Sequence, residues 1–215
     1  MKRKQGFYEK YIKRILDIVL SGMALIVLSP VLLILTIIGA VMMKGNPFFT
    51  QFRPGKIGEN GKEEIFRLVK FRTMNNKKDK DGKLLPDEKR MNRYGKFLRS
   101  TSLDELPELI NIVLGQCSLV GPRPLLVKYI PRYTEEQRRR HLVRPGLTGL
   151  AQVNGRNAIS WEEKFALDVQ YVENVTFMND IKILISTVIT VLKREGINSE
   201  NDVTMEEFLG TSKTN

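Results

Sequence analysis

The chemistry-bearing residues of this chain crowd into positions 99–124, RSTSLDELPELINIVLGQCSLVGPRP. Asp104 and Glu105 are adjacent carboxylates just ahead of Pro107, a residue tolerated in the first turn of a helix because donors there have no partner anyway. Two readings stay open on spacing alone. In the first the acids are structural: Asp104 is a good helix N-cap, Ser102 with Glu105 spells a capping box, and either acid suits the positive end of a helix. In the second they are reactive. Arg99, Arg123 and the cluster Arg138, Arg139, Arg140 and Arg144 offer guanidinium groups suited to bidentate phosphate binding. GPRP, RPGLTG and NGRN are stiff or glycine-containing loops around basic residues. Paired acids beside such arginines are what a Mg²⁺-dependent phosphoryl site needs, since Mg²⁺ takes one or two carboxylates plus substrate phosphates. None of the loops is a Walker A or a glycine-rich kinase loop.

Composition narrows the alternatives. With one Cys and one His in 215 residues, a disulfide scaffold, a zinc site built from several Cys or His, and a mechanism needing two histidines are all excluded. The chemistry must come from carboxylates, Lys, Arg and hydroxyls. Cys117 reads as a small buried hydrophobe, His141 as a packing or surface residue, and Trp161 with Phe165 as a helix-packing pair at i and i+4. Asn174-Val175-Thr176 fits a glycosylation sequon that a cytoplasmic body would never use.

These residues must be positioned by a protein whose apolar residues are segregated. Ile15 to Met43 is 29 residues with Asp17 as the only charge, although the whole chain carries a net charge of +11. The run is too long for the core of a signal peptide and, as a straight helix, would exceed the ~30 Å hydrocarbon thickness. Lys2, Arg3, Lys4, Lys10, Lys13 and Arg14 precede it and Lys44, Arg53 and Lys56 follow it. Basic flanks favour the cytoplasmic side, so both ends belong inside. A re-entrant helix broken at Ser29-Pro30 satisfies both flanks, with the Ser29 hydroxyl covering a carbonyl that proline frees. A kinked single-pass anchor is the other possibility.

The domain plan is therefore a basic N-terminus and membrane helix (1–43), a catalytic body (44–194), and an acidic, weakly ordered tail (195–215). Within the body, 47–53 and 64–74 read as a hairpin around a glycine-rich loop. Helical patterns follow at 90–99, 105–114, 134–142, 160–173 and 180–194. The last is apolar around most of its circumference, suiting a core helix or one lying on a bilayer surface. The fold class is mainly α with a small β component, α+β, in which a re-entrant membrane helix joins a cytoplasmic body bearing interfacial amphipathic helices.

The segments KRILDIVLSGMALIVLSPVLL, FTQFRPG, VKFRTM, RSTSLDELPELINIVLG, SLVGPRPLL, RPGLTGLAQVNGRNAISWEEKFALDVQYVEN and MNDIKI, in that order, resemble the bacterial sugar transferases known as monotopic phosphoglycosyl transferases. The resemblance covers residues 13 to 194. It implies transfer of a sugar 1-phosphate from a UDP-sugar to polyprenyl phosphate in the cytoplasmic leaflet, with release of UMP. It also implies a ping-pong route through an aspartyl phosphosugar, as the first membrane step of surface glycan assembly. Asp104 then matches the family nucleophile and Glu105 the acid that helps hold Mg²⁺, with Asp104 beside it. Lys70, Arg99, Arg123, Arg156 and Asp168 fall at positions associated with the active site, and Pro122-Arg123-Pro124 at the nucleotide. Ser29 and Pro30 match the family helix break.

The implied partners are the UDP-sugar, polyprenyl phosphate, cytoplasmic-leaflet lipids and downstream glycosyltransferases. Nucleic acid is not expected, because the basic residues do not interleave with aromatics. The chain reads Gly115-Gln116-Cys117-Ser118 where many members have Gly-Asp-Met-Ser. The stretch 140–165 is closest to members that handle N-acetylated amino sugars. Two rivals remain: a non-catalytic, membrane-tethered basic protein that binds anionic lipid or nucleic acid, and a nucleotidyl transferase or phosphatase acting on lipid phosphates.

Overall fold

The computed structural model describes residues 3–155, 159–193 and 207–211. A π-helical turn, Tyr8–Ile12, leads into α1, Lys13–Met43, and the stretch Tyr8–Met43 is long and apolar enough to cross a membrane. The helix runs through Ser29 and Pro30 as one element. Pro30 cannot donate to the carbonyl of Ile26, and the Ser29 hydroxyl donates to that oxygen instead at 2.8 Å. Serine beside proline thus preserves the helix at the position where the sequence led us to expect a break.

One stripe of α1 is covered and the opposite one is bare. Lys13, Asp17, Ser21, Leu35, Gly39 and Met43 are buried, while Ile15, Val19, Ile26, Val27, Ile34 and Val41 are exposed. The buried positions recur every four residues within each half of the helix, and the half-buried Leu25, Leu28 and Leu32 continue the same face across the gap between Ser21 and Leu35. The lone acid of the apolar run belongs to this stripe, where Asp17 accepts from Ser118 Oγ at 3.0 Å and from the Leu119 amide at 2.9 Å. Lys13 pairs with the buried Asp180, and Arg14 donates to the carbonyls of Ile112 and Val113.

The body starts with the expected antiparallel hairpin, β1 (Phe48–Ile57) and β2 (Glu63–Phe71). The short helix α2 (Asp87–Arg90) precedes α3 (Arg93–Thr101), and α4 spans Glu108–Val113. α5 (Glu135–Arg138) and α6 (Leu150–Val153) are single turns. α7 (Trp161–Glu173) and α8 (Phe177–Lys193) are the long helices of the body. The expected helix at 134–142 proves to be α5 followed by a 3-10 turn, Arg139–Leu142.

A feature not expected from sequence is the parallel pair β3 (Ser118–Val120) and β4 (Gly146–Thr148). Three-residue strands carry too little alternation to stand out. Glycine permits the pairing: a methyl group added at Gly146 would lie 2.1 Å from the Gly121 nitrogen and 2.4 Å from the Thr148 oxygen. This contact brings the GPRP and RPGLTG loops side by side.

Among the described residues, four apolar clusters hold the fold together. Leu35 and Met43 of α1 join Phe71, Tyr94 and Leu98. Phe66, Leu68, Leu109 and Ile112 pack against Leu25 and Leu28 of α1. Val120, Val143, Tyr171, Val172 and Ile183 tie the parallel pair to α7 and α8. Leu125, Tyr129 and Phe165 enclose Phe208, so part of the acidic tail is packed onto the body rather than loose.

Candidate active site

The capping reading of the acids does not hold. Ser102 ends α3 in the left-handed region, with φ 56°, and its side chain makes no capping bond. Asp104 and Glu105 lie in a 3-10 turn, Leu103–Glu105, and Pro107 occupies the N-cap position of α4. Capping boxes do form elsewhere, at Thr134 with Gln137 and at Ser160 with Glu163. Neither carboxylate of the dyad is consumed by a helix end.

Strand β2 supplies their partner. Lys70 Nζ stands 2.6 Å from Glu105 Oε1 and 2.9 Å from Glu108 Oε1, and Arg123 Nη2 reaches the same Glu105 oxygen at 2.7 Å. Burial pushes Glu105 up, but the Arg123 guanidinium and the Lys70 ammonium outweigh it and hold the carboxyl well below its usual range. Burial, and then the Glu105 charge, push Asp104 up to about 6. Lys70, Arg123 and Arg99 act on Asp104 through space. The dyad is therefore divided into one carboxylate locked between two cations and one left available. Glu108, buried at 3% exposure, was not anticipated, although its spacing of three residues from Glu105 puts both acids on one helical side.

The loop carrying Arg123 is clamped by all three of its carbonyls. Pro122 O accepts from the Gly146 amide at 3.0 Å, Arg123 O from Arg140 Nη2 at 2.7 Å, and Pro124 O from Arg53 Nη1 at 3.2 Å. Pro122 and Pro124 are buried and only the arginine between them is exposed, so the prolines stiffen the loop while Arg123 does the reaching.

Asp168 lies behind the loop. Its Oδ2 accepts from Arg140 Nε at 2.9 Å and Nη2 at 2.7 Å, in an ion pair whose members are each 2% exposed. Its carboxylate is thereby committed to positioning Arg140. Arg53 was not singled out from sequence as a site residue, and Arg140, expected there to bind phosphate, is instead held by Asp168 and clamps the loop. Arg53 lies in the FTQFRPG segment, but only the fold shows which carbonyl it holds. Burial, with Arg123 nearby, pushes Arg53 down to about 10, still charged at neutral pH.

These groups line a cleft of about 1140 Å³ into which Lys70, Arg99, Asp104, Glu105, Arg123 and Asp168 all open. Arg99, in the last turn of α3, donates to Thr73 Oγ1 at 3.2 Å. Arg156 lies outside the described residues. Ser29 and Pro30 belong to α1 and are not among the residues lining the cleft.

Among the described residues no set of three or more His, Cys, Asp or Glu side chains is arranged to hold a metal. The donors present fit a hard cation that takes the Asp104 carboxylate and the Glu105 oxygen not bonded to Lys70 and Arg123, and completes its shell with water and substrate phosphate.

The chain matches the bacterial sugar transferase family over residues 8–194. It is 50% identical over 201 residues to an uncharacterized sugar transferase, EpsL, of Bacillus subtilis, covering 93% of this chain and 96% of that protein. It is 36% identical to the exopolysaccharide production protein ExoY of Sinorhizobium fredii, with 86% and 87% covered. It is 38% identical to the undecaprenyl-phosphate galactose phosphotransferase of Salmonella typhimurium, covering 87% of this chain but 42% of that longer protein.

Proposed function

The chain belongs to the bacterial sugar transferase family, and from that premise we propose that it moves a sugar 1-phosphate from a UDP-sugar to a polyprenyl phosphate, releasing UMP. The observation that carries this reading is the divided dyad: Asp104 stands available in a cationic cleft while Glu105 is bound by Lys70 and Arg123. Two phosphate-bearing substrates repel each other, and a covalent intermediate lets them use one site in turn.

Asp104, ionised above its value of about 6, attacks the sugar-linked phosphorus. The bond from that phosphorus to the bridging oxygen breaks, UMP departs with the electron pair, and an aspartyl phosphosugar remains. The lipid phosphate then attacks the same phosphorus and returns Asp104 as a carboxylate. Arg123 and Lys70 offset charge on the phosphoryl oxygens as it redistributes, and Arg99 lies in the same cleft for the nucleotide phosphates. Mg²⁺ held by Asp104 and Glu105 would supply further neutralisation there. The donor is proposed to carry an N-acetylated amino sugar, on the resemblance of residues 140–165. Relatives are named for galactose and for glucose transfer, so a panel of UDP-sugars assayed for UMP release distinguishes these donors.

Because the acceptor stays in the bilayer, the body must work at headgroup depth. Both ends of α1 contact one basic body, Lys13 through α8 and Met43 through the cluster around Tyr94. This supports a monotopic seating with both flanks on the cytoplasmic face. Cysteines placed at Gly6 and Asn46 should both resist a membrane-impermeant thiol reagent in intact cells, and labelling of one from outside would overturn the seating.

The central test is Asp104→Asn. It should fold normally, lose transfer by orders of magnitude, and fail to retain label from a UDP-sugar carrying ³²P in the phosphate next to the sugar. Turnover near wild type in a folded Asp104→Asn protein defeats the assignment.

A further inference from the structure

The family match ends at residue 194, yet residues 207–211 are packed against the body. Phe208 is 2% exposed. Its ring centroid lies 5.0 Å from that of Phe165, 5.4 Å from Trp161, and 5.8 Å from both Tyr129 and Tyr133. Edge-on contacts to Phe165 and Tyr129 and a stacked one to Tyr133 are the arrangements aromatic pairs favour.

Charge and backbone complete the fit. Glu207 pairs with Lys128 at 2.5 Å and with Arg132 at 2.7 Å. Arg132 also donates to the Phe208 carbonyl, and Gln137 Nε2 donates to Thr211 Oγ1 at 2.6 Å. Gly210, with φ 110°, turns the segment in a region closed to most side chains. Leu209 points away, at 79% exposure. One aromatic anchor, one acid and one carbonyl are therefore each met by a complementary group, which is the form of a peptide-recognition site rather than of incidental packing.

The socket shares a wall with the cleft. Leu125, which follows the clamped PRP loop, belongs to the Phe208 cluster and lines the cleft. Phe165 sits on α7 beside Lys164 and near Asp168, both of which line the cleft as well. A docked tail thus ties the segment after the PRP loop to α7 from behind.

We propose that Tyr129, Tyr133, Trp161 and Phe165, rimmed by Lys128 and Arg132, form a socket for a Glu-Phe segment, filled in cis by residues 207–211, and that the docked segment holds the cleft wall in place. The docking stands on geometry alone; its effect on turnover rests on the proposed transferase reading.

Trp161 is the single tryptophan of the chain and touches Phe208, so its fluorescence reports the socket. In the full-length protein, Phe208→Ala should shift Trp161 emission to the red and raise its quenching by acrylamide. An excess of a synthetic peptide of residues 203–213 should restore both signals, whereas the same peptide with alanine for Phe208 should not. Glu207→Lys, which leaves the aromatic socket whole, should loosen the tail in the same sense.

For transfer, Phe208→Ala should raise KM for the nucleotide sugar several-fold with little change in kcat, and the peptide should bring KM back. Unchanged Trp161 emission and quenching in both variants overturn the docking. A change that the wild-type peptide cannot reverse, or one that depends on protein concentration as exchange between copies would, overturns the cis socket. Restored fluorescence without any KM effect overturns the bracing of the cleft. Absence of turnover on every UDP-sugar counts against the transferase reading and leaves the fluorescence result standing.

Discussion

At the residue scale the site is a chain of charges in which each holds the next. Lys70 and Arg123 hold Glu105, Arg140 holds the loop that carries Arg123, and Asp168 holds Arg140. Removing the last member leaves a buried guanidinium uncompensated, and breaking such a pair costs about 3–5 kcal/mol. Asp168→Ala should therefore unfold at lower denaturant and lose transfer together, as chemical unfolding and UMP release would record. His141 gives one pH-dependent contribution to stability. Burial, then Arg140, push it down to about 3, while its Nδ1 faces the Gly55 carbonyl at 3.2 Å. The unfolded chain, with an ordinary imidazole near 6.5, binds the proton first. The contribution of His141 to stability should then fall as pH drops below 6.5, by roughly 2 kcal/mol between pH 7 and 5, while Asp104 and Glu108, pushed up by burial, act in the opposite sense. The stability of wild type relative to His141→Gln, read from unfolding midpoints, should decline across that range.

At the element scale, backbone contacts decide where Arg123 stands. The parallel pair β3 and β4 brings the GPRP and RPGLTG loops close enough for the Gly146 amide to hold Pro122. A side chain at Gly146 meets only backbone atoms, which cannot move aside. Gly146→Ala should cost about 1–3 kcal/mol, as overpacking does, and should weaken nucleotide-sugar binding by displacing Arg123. Thermal unfolding and KM test the two parts. The long helices of the body were legible, because α7 opens on the Ser160–Glu163 capping box and α8 is a long apolar run. The three-residue strands and single-turn helices were not, since elements so short are made by their neighbours.

At the scale of the whole molecule, α1 is both a structural wall and an apolar surface. Its inner stripe completes two of the four clusters, so removing residues 1–43 would damage the body as well as any membrane contact. The outer stripe separates the two roles. Ile26→Lys with Val27→Lys places charge on side chains 75% and 74% exposed, where a lipid-facing lysine costs about 2.5–3.5 kcal/mol. The double variant should keep its circular dichroism in detergent yet shift out of the membrane fraction of cells. Unaltered membrane partitioning would mean that this face does not meet lipid.

The sequence by itself determined the residue types available for chemistry, the long apolar helix, and the separation of that run from a basic body, while the break it led us to expect at Ser29-Pro30 is not seen. Each determined feature follows from local order along the chain: periodicity and the neighbours of Asp104. Tertiary structure alone decided that Asp104 is not a cap, that Glu108 shares Lys70, that Arg53 and Arg140 grip the PRP loop, and that Phe208 closes the aromatic cluster. Those contacts join residues from 17 to 79 positions apart, and a sequence pattern records which groups a chain owns but not which distant groups burial will force to pair.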